Sequence, residues 1–117
     1  MRFKMILTKK NGDMNQFDIY SVELDPTKGA EMSKTRPAVI ISPDVMNKNL
    51  KTVLIAPLTH AIRGYPSRVA SNVGGQAGEI ALDQMRAVDK ARLKKKRGTI
   101  DKTTAANVKA VLKTMFS

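Results

Sequence analysis

The sequence predicts a mainly β protein, a small, closed or half-closed β-barrel of the SH3-like type with short helices and a C-terminal α-helix. Three observations support this prediction. Short apolar runs of strand length recur between residues 17 and 89, breaks rich in Gly, Pro, Asp and Ser separate them, and clear helical periodicity is confined to the C-terminus. A chain of 117 residues suffices for one modest core, so we expect one barrel domain over residues 15–117.

The first 14 residues form a basic extension without clean periodicity. Three interpretations stay open for residues 1–14: a disordered leader, an added edge strand, or a segment upstream of a natural start at Met14. The apolar part is too short and too interrupted for a secretory signal. No apolar run along the chain approaches the roughly 20 residues of a membrane span. We therefore expect a cytoplasmic protein without a membrane segment.

The first convincing strand is FDIYSVEL, residues 17–24, in which side chains alternate between two faces. Tyr20, Val22 and Leu24 fall on one of these faces. The Asp-Pro pair at residues 25–26 ends the strand. A polar loop follows, and it delivers charged side chains to one end of the predicted sheet, where chemistry is often found.

The second strand is PAVIIS, residues 37–42, and we expect it to begin at Pro37 because proline is confined to strand starts and edges. Its almost continuous apolar run predicts burial on both faces. Ser42 or Asp44 is then expected to cap a short helical turn over residues 45–49.

The remaining strands are shorter or less certain in number. Residues 51–58 form a third apolar strand, and residues 59–65 form a second loop. Residues 67–71 read as a short strand. The Gly-rich residues 72–78 are a tight turn or a flexible link, and residues 79–89 are one long strand or two short ones.

The C-terminus is predicted to be a helix that starts after an N-cap at Asp101. Its apolar residues recur at helical spacing and form one stripe, which we expect to pack against the barrel. The stripe consists of Val108, Val111, Leu112, Met115 and Phe116.

Charge indicates the class of partner. The chain has 21 Lys and Arg against 10 Asp and Glu, a net charge of +11. Residues 86–102 alone carry eight cations and two acids. Such a surplus favours a polyanion, most often nucleic acid, although a solvated basic face without a ligand is the alternative. The absence of Cys and the single His exclude a disulfide framework and disfavour structural zinc, so we expect no metal and no cofactor.

If the polyanion is RNA, a metal-free cleavage needs a base for the 2′-hydroxyl, an acid for the leaving oxygen and cations for the phosphate. Arg36 suits the phosphate because its planar fork can hold two oxygens and the following strand fixes its backbone. Thr59 ends another strand, and its hydroxyl could donate to the same phosphate. Glu31 could then act as the base. The alternatives are a surface ion pair between Arg36 and Glu31, and a strand-end role for Thr59.

His60 titrates in the useful range and adjoins Thr59, but a lone His is more often a bystander. Tyr65 is the best-placed aromatic side chain for base stacking. Asp83 and Gln84 follow a strand and could read a base edge, or Asp83 could be a strand-end residue. The residues predicted to bind RNA are Lys28, Lys34, Arg63, Tyr65, Asp83, Gln84 and Arg86.

Five motifs occur in a fixed order: LDPTKGAE at 24–31, TRPAVIISPD at 35–44, APLT at 56–59, GYP at 64–66 and LDQMRAVDKARL at 82–93. This ordered set resembles the MazF/PemK family of bacterial toxin endoribonucleases. The resemblance spans about Met14 to the C-terminus, and it is carried by the order of the motifs because each alone means little.

The resemblance implies a PemK-like barrel that forms a homodimer and cleaves single-stranded RNA, chiefly mRNA, at a short sequence. It implies products with a 2′,3′-cyclic phosphate and a 5′-hydroxyl, and a cognate acidic antitoxin whose disordered tail covers the basic groove. Arg36 and Thr59 match the family residues that hold the scissile phosphate and supply acid catalysis, and Glu31 matches a loop Glu tied to activity. No metal or cofactor is implied.

Two positions depart from the family pattern. His60 stands where many members carry Ser or Thr, so it replaces a second hydroxyl donor or supplies a substitute acid. Plasmid-type members carry an Arg and an Asp close together on the later strand, where they act as an acid–base pair. Asp83 matches the Asp of that pair, but Ala81 stands in place of the Arg, so the pair is not carried over. The alternative functions are a non-catalytic nucleic-acid-binding barrel and a gyrase-poisoning toxin of the same fold.

Overall fold

A computed structural model describes residues 14–24 and 34–117 of the chain. These residues contain seven β-strands and two α-helices, α1 and α2, joined by turns and two short 3₁₀ segments. The elements in chain order are β1 (Asp18–Glu23), β2 (Thr35–Ile40), α1 (Asp44–Asn49), β3 (Thr52–Thr59), β4 (Arg68–Val73), β5 (Gln76–Ala81), β6 (Arg86–Asp89), β7 (Leu93–Thr99) and α2 (Lys102–Met115).

The seven strands form one antiparallel sheet that curls into a half-barrel. Its order is β4-β5-β3-β2-β1-β7, and β6 lies beside the first half of β3. Strand β3 therefore pairs with β6 through Thr52–Ile55 and with β5 through Leu58 and Thr59. The prediction of a mainly β, half-closed barrel with a C-terminal helix is confirmed.

Both faces of the central strands are buried, as the alternation of their side chains dictates. Tyr20, Val22 and Leu24 share one apolar cluster with Ala38 and Ile40 of β2. Ile19 and Val39 lie on the opposite face, in a second cluster that includes Val108 of α2. The predicted face of the first strand and the two-sided burial of PAVIIS are both confirmed.

Strand β2 begins at Thr35, two residues before the predicted start at Pro37. Pro37 lies opposite Ser21 of β1, while the ladder with β3 begins only at Ala38. Pro37 therefore pairs with β1 on one side only, as a residue of an edge strand does, and edge positions are where strands tolerate proline. The earlier start places Arg36 inside β2.

The capping prediction for α1 is wrong. Its N-cap is Pro43, which makes no side-chain cap hydrogen bond. Ser42 is buried, and its hydroxyl donates to Asn47 and accepts the amide N–H of Leu54 across the sheet. The Ser42 hydroxyl, which the sequence predicted to cap α1, instead makes its hydrogen bonds to Asn47 and Leu54.

The second half of the chain settles three open predictions. Residues 79–89 contain parts of two strands, the second half of β5 and all of β6, separated by a 3₁₀ turn at Leu82–Gln84. Within the Gly-rich residues 72–78, the tight turn is confined to Gly74 and Gly75, because β4 extends to Val73 and β5 begins at Gln76. The φ values of these two glycines, 61° and 81°, are ones that glycine adopts readily. Asp101 caps α2 by accepting the amide N–H of Thr104, as predicted. No helix of the described residues is long and apolar enough to cross a membrane.

Candidate functional site

An open cleft of about 430 Å³ lies where β2 begins and β3 ends. The cleft brings together parts of the chain that are far apart in sequence. Strands β2 and β3 are antiparallel neighbours, so the start of β2 lies beside the end of β3. The 3₁₀ turn connects β5 to β6, and both of these strands also pair with β3. The lining residues are Leu24, Arg36, Pro57, Leu58, Thr59, Ala61, Arg63, Arg68, Gln84 and Arg86.

The charge of this cleft is positive. Four arginines, Arg36, Arg63, Arg68 and Arg86, line it, and none of the lining residues within 14–24 and 34–117 is acidic. Within the described part of the chain, only Arg68 among these four has an ion-pair partner. Guanidinium groups can hold phosphate oxygens in a two-pronged geometry, so the side chains of this cleft are of a chemical type that suits an anion such as a phosphodiester.

Arg36 is the second residue of β2 and lies opposite Val22 of β1. Its side chain is exposed at the cleft, and it has no ion pair with any residue of 14–24 or 34–117. A neighbouring strand fixes its backbone while the guanidinium stays open to solvent. Among these described residues, no ion pair has to break before the Arg36 guanidinium can engage a ligand.

Thr59 is the last residue of β3 and is half-buried. Its hydroxyl oxygen accepts the backbone N–H of Ala61 at 3.1 Å. A hydroxyl that accepts one bond still has its own proton to donate. The turn after β3 therefore orients the Thr59 hydroxyl and leaves its donor for a second partner in the cleft.

The backbone of Thr59 is held closely by β5. Thr59 pairs with Glu79, and Gly78 packs directly against the Thr59 carbonyl group. A Cβ at position 78 would lie 2.5 Å from the Thr59 carbonyl oxygen. Only glycine leaves room for this approach, so Gly78 helps set the position of Thr59.

Arg68 lines the cleft and belongs to a network of charged groups, in which the side chains of Arg68 and Glu79 are buried and Asp83 is exposed. Its Nε donates to Asp83 at 2.7 Å and its Nη1 donates to Glu79 at 3.4 Å. The guanidinium also lies over the ring of Tyr65, 5.0 Å from the centroid. Ser67 donates its hydroxyl to the same oxygen of Asp83 at 3.0 Å.

The pKa values of these groups are shifted toward their charged forms. The Arg68 hydrogen bond lowers the pKa of Asp83, and the same bond raises the pKa of Arg68. The backbone N–H of Arg63, followed by that of Gly64, lowers the pKa of Glu79. Hydrogen bonds to a charged form favour that form, so all three groups are ionised at neutral pH.

The structure brings five of the predicted site residues into one cleft: Arg36, Thr59, Arg63, Gln84 and Arg86. His60 is exposed beside Thr59 and does not line the cleft.

The other predicted residues are placed differently. Tyr65 stacks on Arg68, Asp83 pairs with Arg68, and Lys34 is exposed outside the cleft lining. Glu31 and Lys28 lie outside the described residues, so their predicted roles stay predictions.

Two residues of the site, Arg68 and Glu79, were not predicted from the sequence. The sequence holds one signal for Glu79: a carboxylate directly before the apolar run IAL in a strand. A carboxylate that is buried in such a strand needs hydrogen-bond donors or a cation to offset its lost hydration. Arg63 and Arg68, which precede it in the sequence, are candidate partners. The register of β4 and β5, which pairs Glu79 with Ala70, was needed to choose Arg68 as its ion-pair partner.

Comparisons with known proteins agree with this architecture. The family described as "PemK-like, MazF-like toxin of type II toxin-antitoxin system" matches residues 15–116. The chain is 32% identical over 100 residues to "Endoribonuclease toxin MazF" of Escherichia coli strain K12, covering 85% of this chain and 90% of the relative. It is 31% identical over 119 residues to "Endoribonuclease PemK" of Escherichia coli, covering 95% and 88%.

Solved structures show the same fold. One is an "Endoribonuclease in complex with its cognate antitoxin from Mycobacterial species", which superposes with a TM-score of 0.74 at 21% identity over 87% of this chain and 93% of the other. The match to the family covers the chain from the first strand to the terminal helix. The chain belongs to the PemK-like, MazF-like toxins of type II toxin–antitoxin systems.

Proposed function

We propose that this endoribonuclease cleaves single-stranded RNA, chiefly mRNA, at a short recognition sequence without a metal, and thereby inhibits translation and growth. The enzyme class follows from the family and from relatives named as endoribonucleases at 31% and 32% identity. One observation carries the finer proposal. Arg36 and Thr59, 23 positions apart in the sequence, line the same arginine-rich cleft.

The proposed reaction is a transfer within the RNA. The 2′-oxygen attacks the adjacent phosphorus, the bond from phosphorus to the 5′-oxygen breaks, and the products are a 2′,3′-cyclic phosphate and a 5′-hydroxyl. The fork of Arg36 binds two phosphate oxygens and stabilises the charge that develops on them. A base accepts the 2′-proton, and the leaving 5′-oxygen gains a proton to become the 5′-hydroxyl. The Thr59 hydroxyl supplies that proton, or it hydrogen-bonds the phosphate while His60 or water supplies the proton.

Glu31 is the proposed base, and His60 is the proposed substitute acid at the position where many family members carry a second hydroxyl. Each well-placed acid or base contributes about 10²–10⁴-fold in rate. Arg63 and Arg86, which line the same cleft, are the proposed contacts of the flanking phosphates. Tyr65, which is 49% exposed, offers its free ring surface to a base.

The proposed assembly is a homodimer that a cognate acidic antitoxin inhibits. A solved neighbour is titled as a complex with its antitoxin, and the family is one of toxin–antitoxin systems. An acidic segment laid over the cleft would meet its four arginines and exclude RNA from the same place. Competition between RNA and antitoxin for the cleft is the physical consequence.

The test is cleavage of a long single-stranded RNA in EDTA, followed by mapping of the cut sites and chemical analysis of both ends. Arg36→Ala and Thr59→Val should each fold and lose orders of magnitude in rate, since Val keeps the shape of Thr without its hydroxyl. Arg97→Ala is the matched control, because Arg97 is an exposed arginine on β7 outside this cleft. It should retain most of the activity.

Two results would contradict the proposal. The first is cleavage that appears only after a divalent cation is added. The second is salt-sensitive binding with RNA that stays intact after long incubation, which is the behaviour of a non-catalytic nucleic-acid-binding barrel.

A further inference from the structure

The loop between β3 and β4 is exposed at every position from residue 60 to residue 66. It contains Gly64 at φ 69°, and it presents Arg63 to the cleft and Tyr65 at its margin. A segment with so little buried side-chain surface needs polar ties to keep one shape. The hydrogen bonds that hold this loop therefore set the position of Arg63 in the cleft.

A single buried carboxylate supplies two of these ties. Glu79 is 4% exposed, its Oε1 accepts the N–H of Arg63 at 3.1 Å, and its Oε2 accepts the N–H of Gly64 at 2.9 Å. Both oxygens thus hold successive amides of the loop. The carboxylate comes from β5, whose register with β3 and β4 is set by backbone pairing.

Arg68 connects this carboxylate to the rest of the cleft. Its guanidinium bonds Glu79 and Asp83 and lies over Tyr65, and its backbone N–H donates to the Tyr65 carbonyl at 3.0 Å. Asp83 belongs to the 3₁₀ turn that carries Gln84 into the cleft. One guanidinium therefore joins the loop, β5 and the turn.

We infer that Glu79 and Arg68 are positioning residues that hold the loop of residues 60–67 in the conformation that binds substrate. This inference rests on the proposed function and assigns to that site a buried support. Neither residue needs to contact the reacting atoms. Loosening the loop lowers the fraction of protein competent to bind, and apparent affinity falls by that fraction.

The first variant is Glu79→Gln. Glutamine keeps one acceptor oxygen, and its NH₂ group cannot accept an amide N–H, so one loop amide loses its partner. We expect KM for RNA to rise about tenfold, for a competent fraction of about one tenth, with kcat within about twofold of wild type. Amide hydrogen exchange at Arg63 and Gly64 should speed up at least tenfold, with no change at Val39 in the core.

Two further variants separate positioning from general stability. Asp101→Ala also removes a carboxylate that accepts a backbone N–H, but at the start of α2 and away from the cleft. It should lower Tm and leave KM unchanged. Arg68→Lys keeps the charge without the fork, and it should raise KM and speed amide exchange at Arg63 and Gly64. The exchange readout tests the inference independently if Glu79→Gln does not fold, because loss of a direct contact between Arg68 and RNA would leave exchange unchanged.

The outcomes are distinct. Faster exchange at the two amides with unchanged KM, or unchanged exchange, would overturn the inference. If wild-type protein leaves RNA intact in EDTA, the proposed function has failed. The loop inference is then judged by the Kd for uncut RNA, and equal Kd values for wild type and Glu79→Gln would overturn it.

Discussion

The contact between Gly78 and Thr59 gives a sharp prediction, because one methyl group tests how tightly the predicted catalytic hydroxyl is held. Gly78 is buried in β5 and its φ is outside the positive range, so alanine is conformationally allowed there. The added Cβ of Gly78→Ala would nevertheless lie 2.5 Å from the carbonyl oxygen of Thr59. The obstacle is backbone, which cannot swing aside as a side-chain end would.

The size of the effect follows from this distance. Ordinary contact begins near 3.4 Å, so the Thr59 carbonyl and the new methyl must separate by about 0.9 Å. Overpacking of this kind costs about 1–3 kcal/mol, which lowers Tm by roughly 4 °C for each kcal/mol in a domain of this size. A displacement near 1 Å at a catalytic group costs about 10²-fold in rate. We expect kcat to fall by about that factor.

The assay compares kcat on a fixed RNA with Tm for wild type, Gly78→Ala and a neighbouring control. Ala77→Ser adds one heavy atom to the same strand at an exposed position and should leave both quantities near wild type. A Gly78→Ala protein with wild-type kcat and Tm would refute the reasoning. A fall in Tm alone would show that β5 yields and Thr59 keeps its place.

Three other predictions concern stability and charge. Ser42→Ala leaves the part-buried N–H of Leu54 without its acceptor and should lower the free energy of unfolding by about 1–3 kcal/mol in urea denaturation, with kcat unchanged. The pKa values of Glu79 and Asp83 are lowered in the folded state, so the unfolded chain binds more protons in acid and stability is lost as pH falls below about 4.5; this loss should be shallower in Glu79→Gln. RNA affinity should fall steeply with salt, and Arg63→Ala should reduce the slope of log K against log salt by about 0.7, the value for one phosphate contact.

Each of these has a clear contrary result. An unfolding free energy for Ser42→Ala equal to wild type would mean that the Leu54 amide finds another acceptor. An acid limb unchanged in Glu79→Gln would remove that carboxylate from the stability argument. An unchanged salt slope in Arg63→Ala would mean that this guanidinium meets no phosphate.

Much of the fold was predictable because it depends on neighbours in sequence. Alternation placed Tyr20, Val22 and Leu24 on one face, and an uninterrupted apolar run predicted two-sided burial of β2. Asp101 was recognisable as a cap because its bond partner, Thr104, is three residues away. Where the partner is distant, prediction failed: Ser42 bonds Leu54 across the sheet and caps nothing.

The site divides along the same line. Arg36 and Thr59 were identified as polar side chains at strand ends, which the sequence shows directly. The support beneath them, from Gly78, Glu79 and Arg68, was not identified, because each acts on a residue of another strand or loop.

The amino-acid sequence by itself determined the strands, their buried faces, the terminal helix, the basic charge and the two side chains on which the proposed chemistry depends. The tertiary structure alone decided that Arg36 and Thr59 share a cleft with three further arginines, and that a buried carboxylate holds the loop beside them. The physical reason is range. Propensity and periodicity act over a few residues, whereas the register and curl of a sheet bring together side chains from strands that are distant in the chain.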